Sequence, residues 1–158
     1  MDVFKLTIFQ REGETLKENN RKRIQTIQIP DSTDLPEFDF QLPLAYDGPK
    51  GEDGLRKYYT PEHFFIAAVS GCFFTTFSVV SSNSNLKYKT LKINAEGVID
   101  TSTGIKIMEK IENKITLIIP STEKKKKALK VLELTEKACP LANSVKTKIE
   151  NTYIIVVE

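Results

Sequence analysis

Residues 60–80 read TPEHFFIAAVSGCFFTTFSVV, and the fold turns on how this stretch is understood. Thr60 can cap a helix. Pro61 fits the first helical position, where a missing N–H is no loss, and Glu62 suits the positive end of the helix dipole. Beyond Glu62 the helix is apolar all round: Phe64, Phe65, Ile66, Ala67, Ala68, Val69, Phe73, Phe74, Phe77, Val79 and Val80 leave no face for water. A helix of that kind is expected to be buried on every side. Cys72, one of two cysteines in the chain, sits in its middle.

Upstream, Asp47 to Lys57 holds three glycines and a proline and reads as a loop. Before it, Val3–Phe9, Arg23–Ile29 and Phe38–Tyr46 have strand character, the last bulged at Pro43. Arg11-Glu12-Gly13 ends the first of them and Pro30 the second. Downstream, Asn83-Ser84-Asn85 closes the helix. Residues 88–100 and 105–119 read as a hairpin turned at 101–104, with Gly97 as a bulge. Pro120-Ser121-Thr122 opens a second helix, with Ala128, Leu129, Val131, Leu132 and Thr135 on its apolar face and its lysines outward. Cys139-Pro140 interrupts that helix, Leu141–Val145 adds a short turn, and Tyr153–Val157 is the last strand.

Strands and helices therefore come in blocks, which predicts an α+β fold in one domain. Residues 1–57 form its N-terminal strands and loop, and residues 58–158 its helix, hairpin, helix and strand. At 158 residues, 40% apolar and 28% charged, the chain suits an ordinary globular domain, and a net charge of +2 gives no reason to expect nucleic acid. The run Lys124–Lys127 reads as a solvated helix face.

The apolar run Phe64–Val80 is shorter than the roughly 20 residues a membrane span needs, and it contains serines, threonines and a glycine. It reads as a core helix. The N-terminus, MDVFKLTIFQRE, carries no run of signal-peptide length. A cytoplasmic location is expected, where two cysteines rest as thiols.

An all-round apolar helix needs cover on all sides, and one sheet with one amphipathic helix covers only part of it. Ala67 and Gly71 are small and four apart, which lets another element come close. The simplest extra cover is a second copy of the chain, so an obligate homodimer is expected. The alternative is that residues 31–57 fold over the helix.

Taken singly, Cys72 reads as an inert core residue. Cys139, next to the start of a helix, is placed where the dipole favours a thiolate, with a small cap filler as the bland alternative.

Thr60-Pro61-Glu62, the apolar helix with Ala67-Ala68 and Cys72, and Cys139-Pro140 followed by Ser144 together resemble the OsmC/Ohr family of thiol-dependent peroxidases. Glu62 and Cys72 keep the ten-residue spacing of that pattern, and Cys139 lies 67 residues further on. The resemblance runs from about residue 58 onward; the first 57 residues match only in strand-like character.

The resemblance implies a role for each of these residues. Cys72 would be the peroxidatic cysteine, attacking the O–O bond of an organic hydroperoxide and becoming a sulfenic acid. Cys139 would resolve it as a disulfide, and a dithiol reductant, commonly a lipoyl dithiol in this family, would restore both. The phenylalanines around Cys72 suit an apolar hydroperoxide. No metal or other cofactor is implied, and no nucleic acid or membrane partner. The thiolate would need an arginine held by Glu62; Arg11, just after the first strand, is preferred, and Arg56 is the rival.

If Glu62 and Cys72 share one straight helix, ten residues put about 15 Å between them. Either Glu62 lies before the helix and folds back, or a second subunit brings its own Glu62. The competing class is a non-enzymatic dimer that binds an apolar ligand or senses oxidation.

Overall fold

In the computed structural model, which describes residues 6–9, 24–28, 36–41, 59–100, 102 and 104–158, the three early strand-like stretches pair with one another. β1 (Thr7–Phe9), β2 (Ile24–Gln28) and β3 (Phe38–Gln41) form an antiparallel sheet in that order, with Thr7 opposite Gln28 and Ile27 opposite Phe38. The remainder of the expected first and third strands, the loops between them, Arg11 and Arg56 lie outside the described residues.

The chain divides into two units, Met1–Phe64 and Phe65–Glu158. In the first, Phe38, Tyr59 and Phe64 form a ring cluster with centroids 5.9–6.2 Å apart. The buried Thr60 precedes α1 (Pro61–Asn83), and its N–H donates to Nδ1 of His63 at 3.1 Å. His63 thus does at the third helical position what Glu or Gln does in a capping box, satisfying the N–H of the residue before the helix.

α1 is 23 residues long, and by length and composition it could cross a membrane. It extends past the apolar run at both ends, which corrects the expectation that it is too short. Its end is set by Asn85 in the left-handed region (φ 49°). The N–H groups of Asn85 and Leu86 reach back to the carbonyls of Ser82 and Ser81, a Schellman closure with Asn in the usual glycine place.

The second unit holds β4 (Thr90–Asp100), β5 (Ile107–Ile119), α2 (Lys125–Ala138), α3 (Pro140–Ser144) and β6 (Lys148–Val157). β4 and β5 are antiparallel, as the hairpin reading expects, turned where Ser102 N–H meets Asp100 Oδ1 at 2.8 Å and Gly104 takes φ 79°. β6 runs parallel to β5 on its other side, Ile111 beside Ile149 and Ile119 beside Val157. A parallel neighbour needs a crossover, which α2 and α3 supply.

Ile115, Leu117 and Ile119 of β5 are buried in one cluster with Phe73, Phe77 and Leu132, and Ile111 of the same strand is fully buried as well. Burying each such side chain is worth about 1.5–3 kcal/mol. α2 turns Ala128, Val131, Leu132 and Thr135 inward. Leu129, expected among them, is exposed, and α2 starts three residues after Thr122 because residues 120–123 form a turn closed by Glu123 N–H on Pro120 O.

Gly97 is not itself the bulge; the register shift falls between Val98 and Ile99. The glycine serves packing instead. A Cβ there would stand 2.6 Å from Ile66 Cδ1 and 2.7 Å from Met108 Sδ, so its absence is what seats α1 on β4.

α1 is not buried all round within one chain. Val69, Ser70, Phe73, Phe77 and Ser81 are buried, whereas Ala67, Ala68, Gly71 and Ser78 are exposed, Phe74 is 44% exposed and Val79 58%. One sheet and one helix pair can cover a single stripe of a helix, and here they do no more.

Candidate functional site

Cys139 lies at a joint between two helices. Pro140 has no N–H and cannot continue α2, but its fixed φ fits the first position of a new helix, so Cys139 ends α2 and begins α3. Its backbone N–H reaches Glu136 O at 3.4 Å, and its carbonyl accepts from Asn143 N–H at 3.2 Å. The side chain is 0% exposed and sits in the main core cluster. Cys72, half-buried on α1, packs against that same cluster.

The two cysteines share one region of the core. Cys72 packs against the cluster that holds Cys139, close enough to act on its thiol, and both cysteines are unbridged. Burial pushes the Cys139 thiol above its ordinary range, and the neighbouring Cys72 pushes it further. The N–H groups of Ala142 and Leu141 pull the other way, without forming a capping hydrogen bond to the sulfur. The expectation that the helix start favours a thiolate at Cys139 is therefore reversed. A five-residue helix has little dipole to offer, and full burial outweighs it.

A cavity of about 200 Å³ opens beside Cys139. Its polar wall is Asn113, Glu136, Asn143, Thr147 and Asn151, and its apolar wall includes Val69 and Phe73 of α1. Asn113 is 2% exposed and held at both ends of its amide: Ser70 Oγ donates to its Oδ1 at 2.8 Å, and its Nδ2 donates to Asn151 Oδ1 at 3.0 Å. The Tyr153 hydroxyl donates to the Glu136 carboxylate, and burial together with that carboxylate pushes the phenol well above its usual range. The Tyr153 ring stacks obliquely on Phe73, centroids 6.5 Å apart.

Glu62 occupies the first turn of α1. One continuous helix therefore carries both Glu62 and Cys72, about 15 Å apart along its axis, and a fold-back of Glu62 ahead of the helix is ruled out. Its Oε2 is buried without a hydrogen-bond partner among the described residues. A buried carboxylate in that state calls for a cation. Both candidate arginines, Arg11 and Arg56, are outside the described residues.

The residues that sequence reasoning missed are polar ones on the core side: Ser70, Asn113, Glu136, Asn151 and Tyr153. Asn113 left a readable mark. The inward series of β5 runs Ile111, Asn113, Ile115, Leu117, Ile119, and a polar residue at a core position demands partners.

Comparison with known proteins settles the lineage. The family model for OsmC-like protein matches residues 51–153, well over half of the chain and inclusive of both cysteines and Glu62. The chain belongs to the OsmC-like family. No curated protein matches it. Its fold is that of an OsmC-like protein of unknown function from Vibrio cholerae (TM-score 0.80, 19% identity, 98% of this chain and 100% of that one). It is also similar to an OsmC-like protein from Mycoplasma pneumoniae (TM-score 0.73, 14% identity, 98% of each chain). A third similar structure is an organic hydroperoxide resistance protein from Elizabethkingia anophelis (TM-score 0.67, 18% identity, 100% of this chain and 98% of that one). At these identities the likeness establishes the α+β OsmC-like fold, and the chemistry has to be argued from this chain's own side chains.

Proposed function

We propose that this OsmC-like chain is a thiol-dependent peroxidase that reduces organic hydroperoxides. The observation that supports the reading is that Cys72 packs against the core cluster holding Cys139, although the two are 67 residues apart in sequence. The Cys72 thiolate attacks one oxygen of the O–O bond; the alkoxide leaves and takes up a proton as the alcohol, and Cys72 becomes a sulfenic acid. Cys139, held as a thiol by its burial, condenses with it and releases water. A dithiol returns the disulfide to two thiols. The apolar neighbours Val69 and Phe73 favour an organic substrate over hydrogen peroxide.

The working form is a homodimer. The exposed, mostly apolar face of α1 supports this, and so does Gly71. A Cβ on Gly71 would meet nothing within 4 Å, so nothing among the described residues requires a glycine there. Cover by a second α1 would bring the Glu62 of one copy toward the Cys72 of the other, with Arg11 or Arg56 as the cation for the buried carboxylate and the thiolate. The reducing cytoplasm is the compartment that keeps such a pair ready.

The test is consumption of cumene hydroperoxide in the presence of excess dithiol. The native chain should turn over. Cys72→Ser should fall to the background rate, and Cys139→Ser should halt after one oxidation when only a dithiol that cannot reduce a sulfenic acid is supplied. Full turnover by Cys72→Ser overturns the reading.

A further inference from the structure

A run of polar side chains crosses the second unit, and each of its ends lies within three residues of a cysteine. Ser70 of α1, two residues before Cys72, donates its hydroxyl to Asn113 Oδ1 at 2.8 Å. Asn113 of β5 donates from Nδ2 to Asn151 Oδ1 at 3.0 Å, and the two asparagines are partners in the parallel register of β5 and β6. Asn151 and Tyr153, two apart on β6, share a face of that strand, and Asn151 acts on the Tyr153 phenol against the effect of burial. The Tyr153 hydroxyl donates to the carboxylate of Glu136 on α2, three residues before Cys139. The run therefore joins α1 to α2 through β5 and β6.

Hydrophobic attraction is non-directional, whereas a hydrogen bond weakens steeply when it is misaligned. Asn113 is 2% exposed, so water does not replace a partner it loses. A slip of α1 by one residue carries its side chains about 1.5 Å along the axis and breaks the Ser70 bond. Disulfide formation is about as intolerant, since bridged cysteines keep their Cα atoms roughly 4.4–6.8 Å apart.

We infer that the run from Ser70 to Glu136 is a positioning device for the cysteine pair: it fixes α1 against β5 and α2 against β6, and so raises the effective concentration of Cys139 at Cys72. This rests on the disulfide cycle proposed above. Ser70, Asn113, Asn151, Tyr153 and Glu136 are positioning residues and exchange neither protons nor electrons with the sulfurs.

The experiment equilibrates the full chain in mixtures of reduced and oxidised glutathione and reads the fraction carrying the intrachain Cys72–Cys139 disulfide by thiol trapping and intact mass. Two reduced glutathiones supply the two electrons and two protons that open the pair and leave as one oxidised glutathione, so the equilibrium constant is the pair's effective concentration. Ser70→Ala and Tyr153→Phe each remove one hydroxyl, one toward each end of the run. Each should lower the constant by roughly tenfold or more, the scale on which a displacement of about 1 Å acts. Ile111→Val opens a small cavity in β5 outside the run and should leave the constant within about twofold. Denaturation of the reduced chains gives the stability each variant loses, and the constant should not follow it. The inference is overturned if either hydroxyl variant keeps the native constant, or if Ile111→Val lowers it as far. A native chain that forms no intrachain disulfide at any glutathione ratio overturns the cycle along with it, whereas a native pair that forms and is matched by both variants overturns the positioning role alone.

Discussion

The two faces of α1 are made from the same apolar stock and have opposite fates. On the inner face Val69, Phe73 and Phe77 recur every four residues and are buried, the two phenylalanines in one cluster with side chains of β5 and α2. On the outer face Ala67, Gly71, Phe74 and Ser78 recur at helical spacing and stay exposed. The difference is bulk, with Phe74 the one large side chain among the outer four. Large side chains fill the space that one chain encloses, and small ones leave a surface that another body can approach. Apolar composition says that a helix wants burial, while the distribution of size around it says which side its own chain provides.

Parallel truncations on the two faces give the largest expected effects. Phe77→Ala should cost about 3–5 kcal/mol of stability, by lost transfer energy and the cavity left behind. Phe74→Ala would cost well under that if one chain were the whole structure. In a dimer it should instead lower the melting temperature in a way that depends on protein concentration, which thermal scans across a hundredfold dilution series would reveal.

Next in size, Gly97→Ala should destabilise by about 1–3 kcal/mol, since the new methyl collides with Ile66 and Met108. Chemical denaturation measures this, and a neutral result would mean that α1 and β4 are not in such close contact. Gly71 sharpens the contrast, because its sign depends on the assembly. With open space around it, Gly71→Ala should stabilise an isolated chain by about 0.5–1 kcal/mol through helix propensity. If a second α1 packs there, it should weaken association instead, visible by sedimentation.

The smallest effect lies at the far end of α1. Glu123 accepts from Lys87 N–H at 3.0 Å and pairs with Lys127 at 3.1 Å, and these partners hold its carboxyl below the ordinary value of 4.5. Stability from this group is present above pH 4.5 and is lost as pH falls through the lower folded value. Glu123→Gln should remove that increment of acid sensitivity and change little at neutral pH, and salt should mask the difference because the site is near water.

Much of the second unit was legible because its patterns are local. The odd-numbered apolar residues of β5, the Asn-rich end of α1 and the Cys139-Pro140 break each announce themselves within a few residues. The polar first half of β6 does not. Lys148 and Glu150 pair with each other, and Asn151 turns to the cavity, so apolar alternation is visible only from Tyr153 onward. The parallel pairing of β6 with β5 was equally hidden, being a match between segments that no local pattern links. In the site, sequence pointed to the two cysteines but mistook the ionisation of Cys139, because the helix start is local and the burial that overrides it comes from the whole core. The Glu136–Tyr153 pair left no signal, since an exposed-looking glutamate on α2 acquires meaning only when β6 delivers a phenol beside it.

In the proposed cycle two distant cysteines form one redox pair. Its most direct test is peptide mapping by mass spectrometry after one equivalent of cumene hydroperoxide, under denaturing, non-reducing conditions. A cross-linked pair of peptides containing Cys72 and Cys139 from a single chain is expected, lighter by two hydrogens and abolished by Cys139→Ser. Recovery of both cysteines as unmodified thiols, or of disulfides that join only separate chains, would contradict it.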